Sequence, residues 1–375
     1  MNASSLHSIV WAGLLWVSLC HAAHAQWVIG QVLPLQGPVA SSTKPVAEGA
    51  AAYVAAVNKR GGLAGKPVEL VTRDDNFNPE LTLKEVEKLL AERKPIAFVN
   101  TTGAPNLSKL INSGALKKAG VAMVGGFTGS TAVRAGKDSM VFYTDAGLDQ
   151  EAQKMIEQVA TLGITRVGVF YQDDGFGKDG LAQIKRFAAE RRVAVVAEAA
   201  YDRTTSDATG AVKTILPKDA QAVLMVTSSS AASDFVKRYK TGGGAGLLIA
   251  SSSCSAEVVY KSVGDLARGM GIMQLAPPVR SPSRIAAEFR AALKEYAPDA
   301  QPTPLGLKGF IAVKTVVEAI RLSGQQPSAT AVIKGLGAMS RHDIGDLQLT
   351  FIGDQREGVK FREIGVLAAG GMIQN

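Results

Sequence analysis

Short apolar runs alternate along the chain with longer segments in which apolar residues recur at helical spacing. Continuous runs of this kind are typical of strands that are covered on both faces in a parallel sheet. They lie at 27–33, 67–72, 95–99, 121–124, 141–144, 166–171, 193–196, 222–227 and 247–250. The helical stripes lie near 44–58, 79–92, 152–162, 285–296 and 307–320. Because the alternation restarts after residue 144, the pattern predicts two similar α/β units that face each other.

Turn signals indicate where these units end. Arg60 to Gly65 is a glycine-rich segment that follows a predicted helix and lacks the Lys-Ser/Thr pair of a phosphate loop, so it predicts a helix end. Ala276-Pro277-Pro278 predicts a crossing between two lobes, and 345–369 predicts short strands joined by a turn at Gly353-Asp354. The sequence has no stretch typical of a disordered linker. We therefore expect several short strands to join the lobes and to flex as a hinge.

Hydroxyl and glycine residues follow four of the predicted strands. Two threonines and Gly103 follow the strand at 95–99, and Phe-Thr-Gly-Ser at 127–130 comes soon after the strand at 121–124. In the second unit, two strands end in Ser-Ser-Ser, at 228–230 and at 251–253. Because the carboxyl ends of parallel strands share one edge, these donors can converge on one ligand, and free backbone N–H groups there suit a carboxylate. The alternative is that each hydroxyl caps the helix that follows it.

Length and charge narrow the function. At 375 residues the chain exceeds the size at which one hydrophobic core stops growing, which predicts two domains. The net charge is +8, but aromatic residues make up only 6% and the basic pairs are scattered over predicted helices. Without a stacking platform or a basic stripe, we expect no nucleic-acid partner.

Residues 1–25 differ from the rest of the chain. An apolar segment at 9–19 leads to Ala23-His24-Ala25, a small-x-small cleavage pattern, which predicts a cleaved signal peptide and a mature chain from Gln26. Cys20 allows a lipoprotein alternative, but the leucine before it is larger than a lipoprotein signal prefers. We therefore expect a soluble periplasmic protein.

Few residues of the predicted mature chain can perform chemistry. Cys254 is its one cysteine and His342 its one histidine, so an intramolecular disulfide, a zinc site and a Ser-His-Asp triad are not expected. Asp74-Asp75 and Asp173-Asp174 lack the spacing of a calcium loop, and no dinucleotide fingerprint follows the first strand. We expect no catalytic residue, no metal and no cofactor. Binding without chemistry is the preferred interpretation, and a carboxylate-based hydrolase is an alternative.

Several segments, in their order and spacing, resemble the periplasmic solute-binding proteins of ABC importers, in particular the type I leucine/isoleucine/valine-binding family. They are IGQVLPLQGPVA, AAVNKRGGLAGKPVELVTRDD, VNTTGAPN, KAGVAMVGG and VGVFYQDDGFGKDGL. The resemblance covers nearly all of the mature chain and implies two Rossmann-like lobes, three hinge crossings and a ligand closed between the lobes. We expect an N-terminal lobe of residues 26–144 plus 277–345 and a C-terminal lobe of residues 145–276 plus 346–375.

The resemblance also implies where the ligand contacts lie. In the family, the end of the third strand holds the ligand carboxylate, and an aromatic residue of the second lobe covers the ligand. The implied ligand-binding residues are Thr101, Thr102, Gly103 and Ala104 after the third strand, Phe127, Thr128, Gly129 and Ser130 after the fourth, Phe176 as the aromatic, and Ser228, Ser252 and Ser253 at later strand ends.

The chain departs from this family at the ligand. Branched-chain amino-acid binders commonly place an acidic residue near the second serine run, where this chain has only serines, and their early tyrosine is replaced around Ser41-Ser42. A buried ammonium group without a carboxylate partner is costly, so an aliphatic amino acid requires Asp145 or Asp174 to reach the ligand. Phe127 is also larger than the family's usual residue. An aromatic or keto acid, an amide or a urea-like solute fits a serine-lined pocket equally well.

We therefore expect an exported, monomeric binding protein that captures a small polar solute and delivers it to an ABC-type inner-membrane permease. A ligand-sensing receptor domain of the same fold is the alternative.

Overall fold

The computed structural model describes residues 26–37, 39–136 and 140–374 and contains a five-stranded parallel sheet and a seven-stranded mixed sheet, each flanked by helices. The predicted signal peptide, residues 1–25, lies outside the described residues.

The strands are shorter at several places than the apolar runs predicted. Their bounds are β1 Trp27–Leu33, β2 Val68–Asp74, β3 Ala97–Val99, β4 Met123–Val124, β5 Val141–Phe142, β6 Arg166–Gln172, β7 Ala194–Tyr201, β8 Ala222–Val226, β9 Leu247–Ala250, β10 Gly271–Gln274, β11 His342–Asp343, β12 Gln348–Leu349, β13 Glu363–Leu367 and β14 Ile373–Gln374.

Helices connect most of these strands. Their bounds are α1 Ala40–Lys59, α2 Pro79–Glu92, α3 Ala104–Ser113, α4 Ala115–Ala119, α5 Thr131–Arg134, α6 Leu148–Thr161, α7 Gly175–Glu190, α8 Thr209–Ile215, α9 Ser229–Thr241, α10 Ala256–Val263, α11 Arg284–Tyr296, α12 Pro304–Ser323 and α13 Ala329–Ala338, with short 3₁₀ turns at 216–218, 264–267 and 369–371.

The sheet topology confirms the predicted α/β class with two Rossmann-like lobes. The first sheet has the order β2-β1-β3-β4-β5 and all of its strands are parallel. The second has the order β14-β13-β10-β9-β8-β6-β7, in which β13 and β14 are the antiparallel additions. In both sheets the strand order reverses beside the first strand of the unit, and ligands bind in the crevice that this arrangement opens at the carboxyl ends.

Each sheet is covered on both faces by its own core. Helices α1, α11, α12 and α13 pack on one face of the first sheet, and α2, α3 and α4 pack on the other. In the second unit, α6 and α7 cover one face and α8, α9 and α10 the other. The cores explain why the strands are continuously apolar, since neither face meets water.

Helices α1 and α12 approach each other unusually closely because glycines lie at their crossing. A Cβ atom added to Gly49 would lie 1.8 Å from the carbonyl oxygen of Gly306, and one added to Gly309 would lie 1.9 Å from that of Val46. Glycine is therefore required at this crossing for close packing. Apart from these glycines, the sequences of both helices have the ordinary apolar stripe of a helix packed on a sheet.

Three segments of chain pass between the two units, at 143–147, 275–283 and 350–362. The first and third of these run side by side, since the Tyr143 N–H donates to Arg356 O at 2.7 Å and the Gly358 N–H donates to Tyr143 O at 2.9 Å. Leu349 and Val359 lie in the first core, although the predicted C-terminal lobe included them in residues 346–375. The third segment therefore begins as a hairpin on the first core, where Phe351 and Val359 still pack, and it leaves that core just before β13. The other predicted lobe boundaries stay predictions.

Observed helix boundaries agree best with the predicted ones where the sequence contains a recognisable capping residue. The Asn78 side chain accepts the N–H groups of Glu80 and Leu81, and Pro79 is the first helical residue, so α2 begins and ends where predicted. Helix α1 begins four residues earlier than predicted and contains Pro45. The Thr43 hydroxyl supports its first turn by donating to the backbone oxygens of Pro34 and Val39.

Candidate functional site

The end of β3 places strained and unpartnered polar groups at the edge of the first sheet. Asn100 has a left-handed backbone with φ of +62°, which is uncommon for a residue other than glycine. Within the described ranges, Asn100 Nδ2 and Thr101 Oγ1 are buried and have no hydrogen-bond partner. Buried polar groups without partners and strained backbone both occur preferentially where a ligand or an ordered water completes the site.

The next three residues lead into the N-terminus of α3. The Thr102 hydroxyl donates to Asn100 O at 3.0 Å, and the Gly103 N–H donates to Phe127 O at 3.0 Å. Gly103 has φ of +103°. No side chain of the described residues caps α3, which begins at Ala104. Donors for an anion are therefore the open N–H groups of the first turn rather than the Thr102 hydroxyl, which is already engaged.

The loop after β4 lies beside this turn and also contacts the second unit. Thr102 and Phe127 form a parallel bridge, and the Gly129 carbonyl accepts the Leu148 N–H at 3.0 Å. A Cβ atom added to Gly129 would lie 3.6 Å from the Phe176 ring. The aromatic side chain predicted to cover the ligand thus approaches this loop from the other lobe.

Two further residues of this loop have structural partners. Thr128 Oγ1 accepts the Ser130 N–H at 3.1 Å, and the Thr128 carbonyl accepts Arg134 Nε at 2.7 Å. The Thr131 N–H, at the start of α5, donates to Asp179 Oδ2 of α7 at 2.7 Å. A carboxylate from the second lobe therefore caps a helix of the first lobe.

A buried charge cluster lies under Phe127. Lys308 Nζ is 4.4 Å from the centroid of the Phe127 ring and 3.0 Å from Asp145 Oδ2, and Asp145 Oδ1 is 2.6 Å from Arg134 Nη2. Burial acts to raise the pKa of Asp145, but Lys308 and Arg134 outweigh it, so this pKa lies below its usual range. Asp145, one of the two acids that an aliphatic amino-acid ligand was said to require, is paired inside the protein with Lys308 and Arg134. Asp174, the other, caps α7 by accepting the N–H groups of Phe176 and Gly177.

Glu151 brings a carboxylate to the serine run that appeared to lack one. The Ser252 N–H donates to Glu151 Oε2 at 2.7 Å, and the Ser252 hydroxyl donates to Oε1 at 2.8 Å. Glu151 is 4% exposed, and in the described part of the chain no ion pair joins it to Lys or Arg. Burial raises the pKa of Glu151, while the two Ser252 hydrogen bonds and the nearby Lys308 charge act in the opposite direction.

The other two serines serve the local fold. Ser228 caps α9, its hydroxyl accepting the Ala231 N–H, and its own N–H donates to the Tyr201 hydroxyl at 2.9 Å. The Ser253 hydroxyl donates to Thr227 O at 2.7 Å. For these two residues the capping or turn-forming alternative describes what their hydroxyls do, and a role in ligand binding stays a prediction.

Sequence reasoning missed Glu151, Lys308, Arg134 and Asp179. Glu151 lies one residue before the apolar stripe of α6, where an acidic residue is ordinary in a first helical turn. Lys308 lies near the start of α12, a helix that also carries Lys314, Glu318 and Arg321, so the sequence does not single it out. None of these positions carries a local motif.

In the described ranges, no helix is long and apolar enough to cross a bilayer, and no group of three or more His, Cys, Asp or Glu side chains could hold a metal ion. Cys254 is free and buried, and burial raises the pKa of its thiol to about 12.

Comparison with known proteins gives consistent matches along the chain. A family model described as "Periplasmic binding protein" matches residues 26–358. The chain is 26% identical over 363 residues to the Leu/Ile/Val-binding protein homolog 3 of Brucella melitensis, covering 94% of this chain and 95% of the relative.

Solved structures match over the same length. A substrate-binding periplasmic protein from Ralstonia solanacearum is 31% identical with a TM-score of 0.82, over 93% of this chain and 99% of that one. A branched-chain amino-acid ABC transporter protein from Thermus thermophilus, solved with bound valine, has a TM-score of 0.80 over 93% of this chain and 94% of that one. At 15% identity, the second similarity shows the fold alone.

Proposed function

Because the chain belongs to the periplasmic binding protein family, we propose that it captures a small polar solute between its lobes and delivers it to an ABC-type membrane permease. Family membership places the protein outside the cytoplasm. The finer location, the periplasm reached through cleavage of residues 1–25, is part of the proposal.

The observation that carries the proposal is the pair of opposite electrostatic poles at the edges of the two sheets. One pole is the uncapped N-terminus of α3, which offers N–H groups and a partial positive charge. The other is the Glu151 carboxylate, held by Ser252 at the end of β9. Phe176 lies between the lobes, where it can cover a bound solute.

These poles favour a solute that carries both a carboxylate and an ammonium group. The α3 N-terminus suits the carboxylate, as in other helix-terminus anion sites. Glu151 suits the ammonium, because a buried carboxylate without an ion-pair partner gains most from a cation that arrives with the ligand. The relative from Brucella melitensis is named for leucine, isoleucine and valine, which supports an α-amino acid as the solute class here.

Matched ligands test the proposal directly. We would measure the thermal unfolding of the chain from Gln26 with L-leucine and L-valine, with the 2-oxo acid of leucine, which lacks the ammonium, and with leucinamide, which lacks the carboxylate. A solute at about a hundred times its Kd adds about 2.7 kcal/mol to stability, which raises Tm by several degrees. The amino acids should stabilise the protein more than either truncated analogue.

The outcomes separate the parts of the proposal. If the 2-oxo acid stabilises the protein as strongly as leucine, the ammonium role of Glu151 is refuted and solute capture stands. If a wider panel of amino acids, carboxylates, amides and urea leaves Tm unchanged, solute capture itself is refuted. Mass spectrometry of the recovered solute tests the hydrolase alternative, since a binding protein returns it unaltered.

Delivery needs its own measurement in cells. Deletion of the gene should abolish uptake of the labelled solute, and re-expression of the full chain should restore it. Unchanged uptake, together with a lost transcriptional response to the solute, would replace the transport role with a sensing role.

A further inference from the structure

The loop after β2 holds an exposed aromatic side chain on a strained backbone. Asn76 and Phe77 both have left-handed backbones, with φ of +48° and +57°. This conformation is unfavourable for a bulky residue, so a phenylalanine is a rare choice at such a position. Phe77 is 36% exposed, and no hydrophobic core in the described part of the chain includes it. Its ring therefore stays at the surface in spite of the strain, a combination that occurs preferentially at functional sites.

A buried carboxylate fixes this loop to helix α3. The Phe77 N–H donates to Asp75 Oδ1 at 3.0 Å. The other oxygen of Asp75 accepts hydrogen bonds from Thr82 Oγ1 at 2.7 Å and from Asn106 Nδ2 at 3.1 Å. Asn106 lies in the first turn of α3, the helix whose N-terminus we assign to the solute carboxylate. Both oxygens of Asp75 are thus occupied by the protein, and they hold Phe77 at a fixed place beside that helix.

The ring of Phe77 lies against the turn that leads into α3. A Cβ atom added to Gly103 would lie 2.5 Å from Phe77 Cε2, so the ring contacts the Gly103 backbone closely. The same point lies 3.3 Å from Asn106 Oδ1, which is buried and has no hydrogen-bond partner among the described residues. A buried polar atom left unpaired at this turn indicates that a ligand or an ordered water completes it. The Gly103 N–H donates to Phe127 O at 3.0 Å, so the turn is continuous with the loop that Phe176 approaches.

We propose that Phe77 contacts the bound solute and selects α-amino acids with an apolar side chain over polar ones of the same shape. This inference rests on the proposed function, which places the solute carboxylate at the N-terminus of α3.

The chemistry of a phenyl ring gives this contact its selectivity. The side chain of an α-amino acid is only two bonds from the carboxylate carbon, so a solute held at the turn brings its side chain close to the Phe77 ring. Contact with the ring removes apolar surface of both partners from water, which favours a methyl group. An amide or hydroxyl group in the same place loses water and gains no hydrogen bond from the ring, which disfavours it.

Calorimetric titration of the chain from Gln26 with two pairs of similarly shaped amino acids, leucine with asparagine and valine with threonine, tests the proposal. Phe77→Ala should weaken the binding of leucine and valine about three- to tenfold, because part of an apolar contact is lost. Binding of asparagine and threonine should change less, so the discrimination falls. Phe77→Leu keeps an apolar side chain and should retain most of it. Tyr296→Ala is the matched control, since Tyr296 is an exposed aromatic residue of α11.

Phe77→Gly separates binding from folding. Glycine adopts a left-handed backbone without strain, so the Tm of this variant without solute should equal or exceed that of the parent chain. Its affinity for leucine should nevertheless fall as in Phe77→Ala. A fall in Tm that accompanies the loss of affinity would show that the ring serves the fold, which would overturn the proposal.

The titrations distinguish failure of this contact from failure of the proposed function. If the parent chain binds leucine and the Phe77 variants bind it equally well, the contact is overturned and solute capture stands. An equal loss for leucine and asparagine also overturns the contact, since the ring would then only hold the α3 turn in place. A parent chain that binds none of the four amino acids overturns both the amino-acid solute class and this contact.

Discussion

Replacement of Glu151 by glutamine tests the polar centre of the cleft most sharply. The side chain keeps its size, and its remaining carbonyl oxygen can still accept one of the two Ser252 hydrogen bonds. What is lost is the negative charge that we assign to the solute ammonium. A hydrogen bond to a charged group contributes about 1.5–3 kcal/mol, so the Kd for leucine should rise roughly ten- to a hundredfold.

The same substitution weakens solute binding but should stabilise the folded protein in the absence of solute. Burial raises the pKa of Glu151 above that of the unfolded chain, so the folded state binds the proton more tightly. The contribution of this group to stability is complete at acidic pH and is lost as pH rises through the raised pKa. Each unit of difference between the folded and unfolded pKa corresponds to about 1.4 kcal/mol.

Thermal unfolding between about pH 4 and pH 8 measures this linkage. Without solute, Glu151→Gln should gain in Tm relative to the parent chain as pH rises, because glutamine has no proton to lose. With leucine the gap should reverse at neutral pH. Glu257→Gln is the matched control, since Glu257 is an exposed carboxylate of the same lobe.

Calorimetry in two buffers of different ionisation enthalpy adds an independent readout. Binding of an ammonium-bearing solute stabilises ionised Glu151 and should release a proton at pH values where the empty site is protonated. An unchanged leucine affinity in Glu151→Gln, with no proton release, would refute the assignment of Glu151 to the ammonium. Equal losses in the Glu257 control would show that the effect is not local.

Two further substitutions address closure and packing. Asp179→Asn weakens the 2.7 Å contact between the lobes in which the Asp179 carboxylate accepts the Thr131 N–H. Solute affinity should therefore fall several-fold, and small-angle scattering should show a larger radius of gyration for the solute-bound protein. Unchanged values would mean that this contact does not hold the lobes together. Gly49→Ala places a methyl group 1.8 Å from Gly306 O, so denaturant unfolding should show a loss of about 1–3 kcal/mol or more, whereas Gly210→Ala in α8, with open space around it, should be neutral or stabilising.

The lobes could be predicted from local signals because the two sheets are buried on both faces. That burial makes each strand a continuous apolar run, and the bounds of β1 and β9 agree with the prediction. Helix α13 was not predicted, since its two glycines interrupt the apolar stripe. A Cβ atom on Gly335 would lie 1.7 Å from Ala319 O, so tertiary packing required a residue that weakens the local helical signal.

The cleft could be predicted only in part, because strand-end hydroxyls have two uses that look identical in sequence. Ser228 and Ser252 both end a strand of the second sheet, yet the first caps a helix and the second binds a carboxylate. The difference lies in the partner: Glu151 is 101 residues from Ser252 in the chain and reaches it because α6 packs beside β9. An acidic residue missing from a serine run is therefore not missing from the site, since a neighbouring helix can supply the charge while the strand end supplies the hydrogen bonds that orient it.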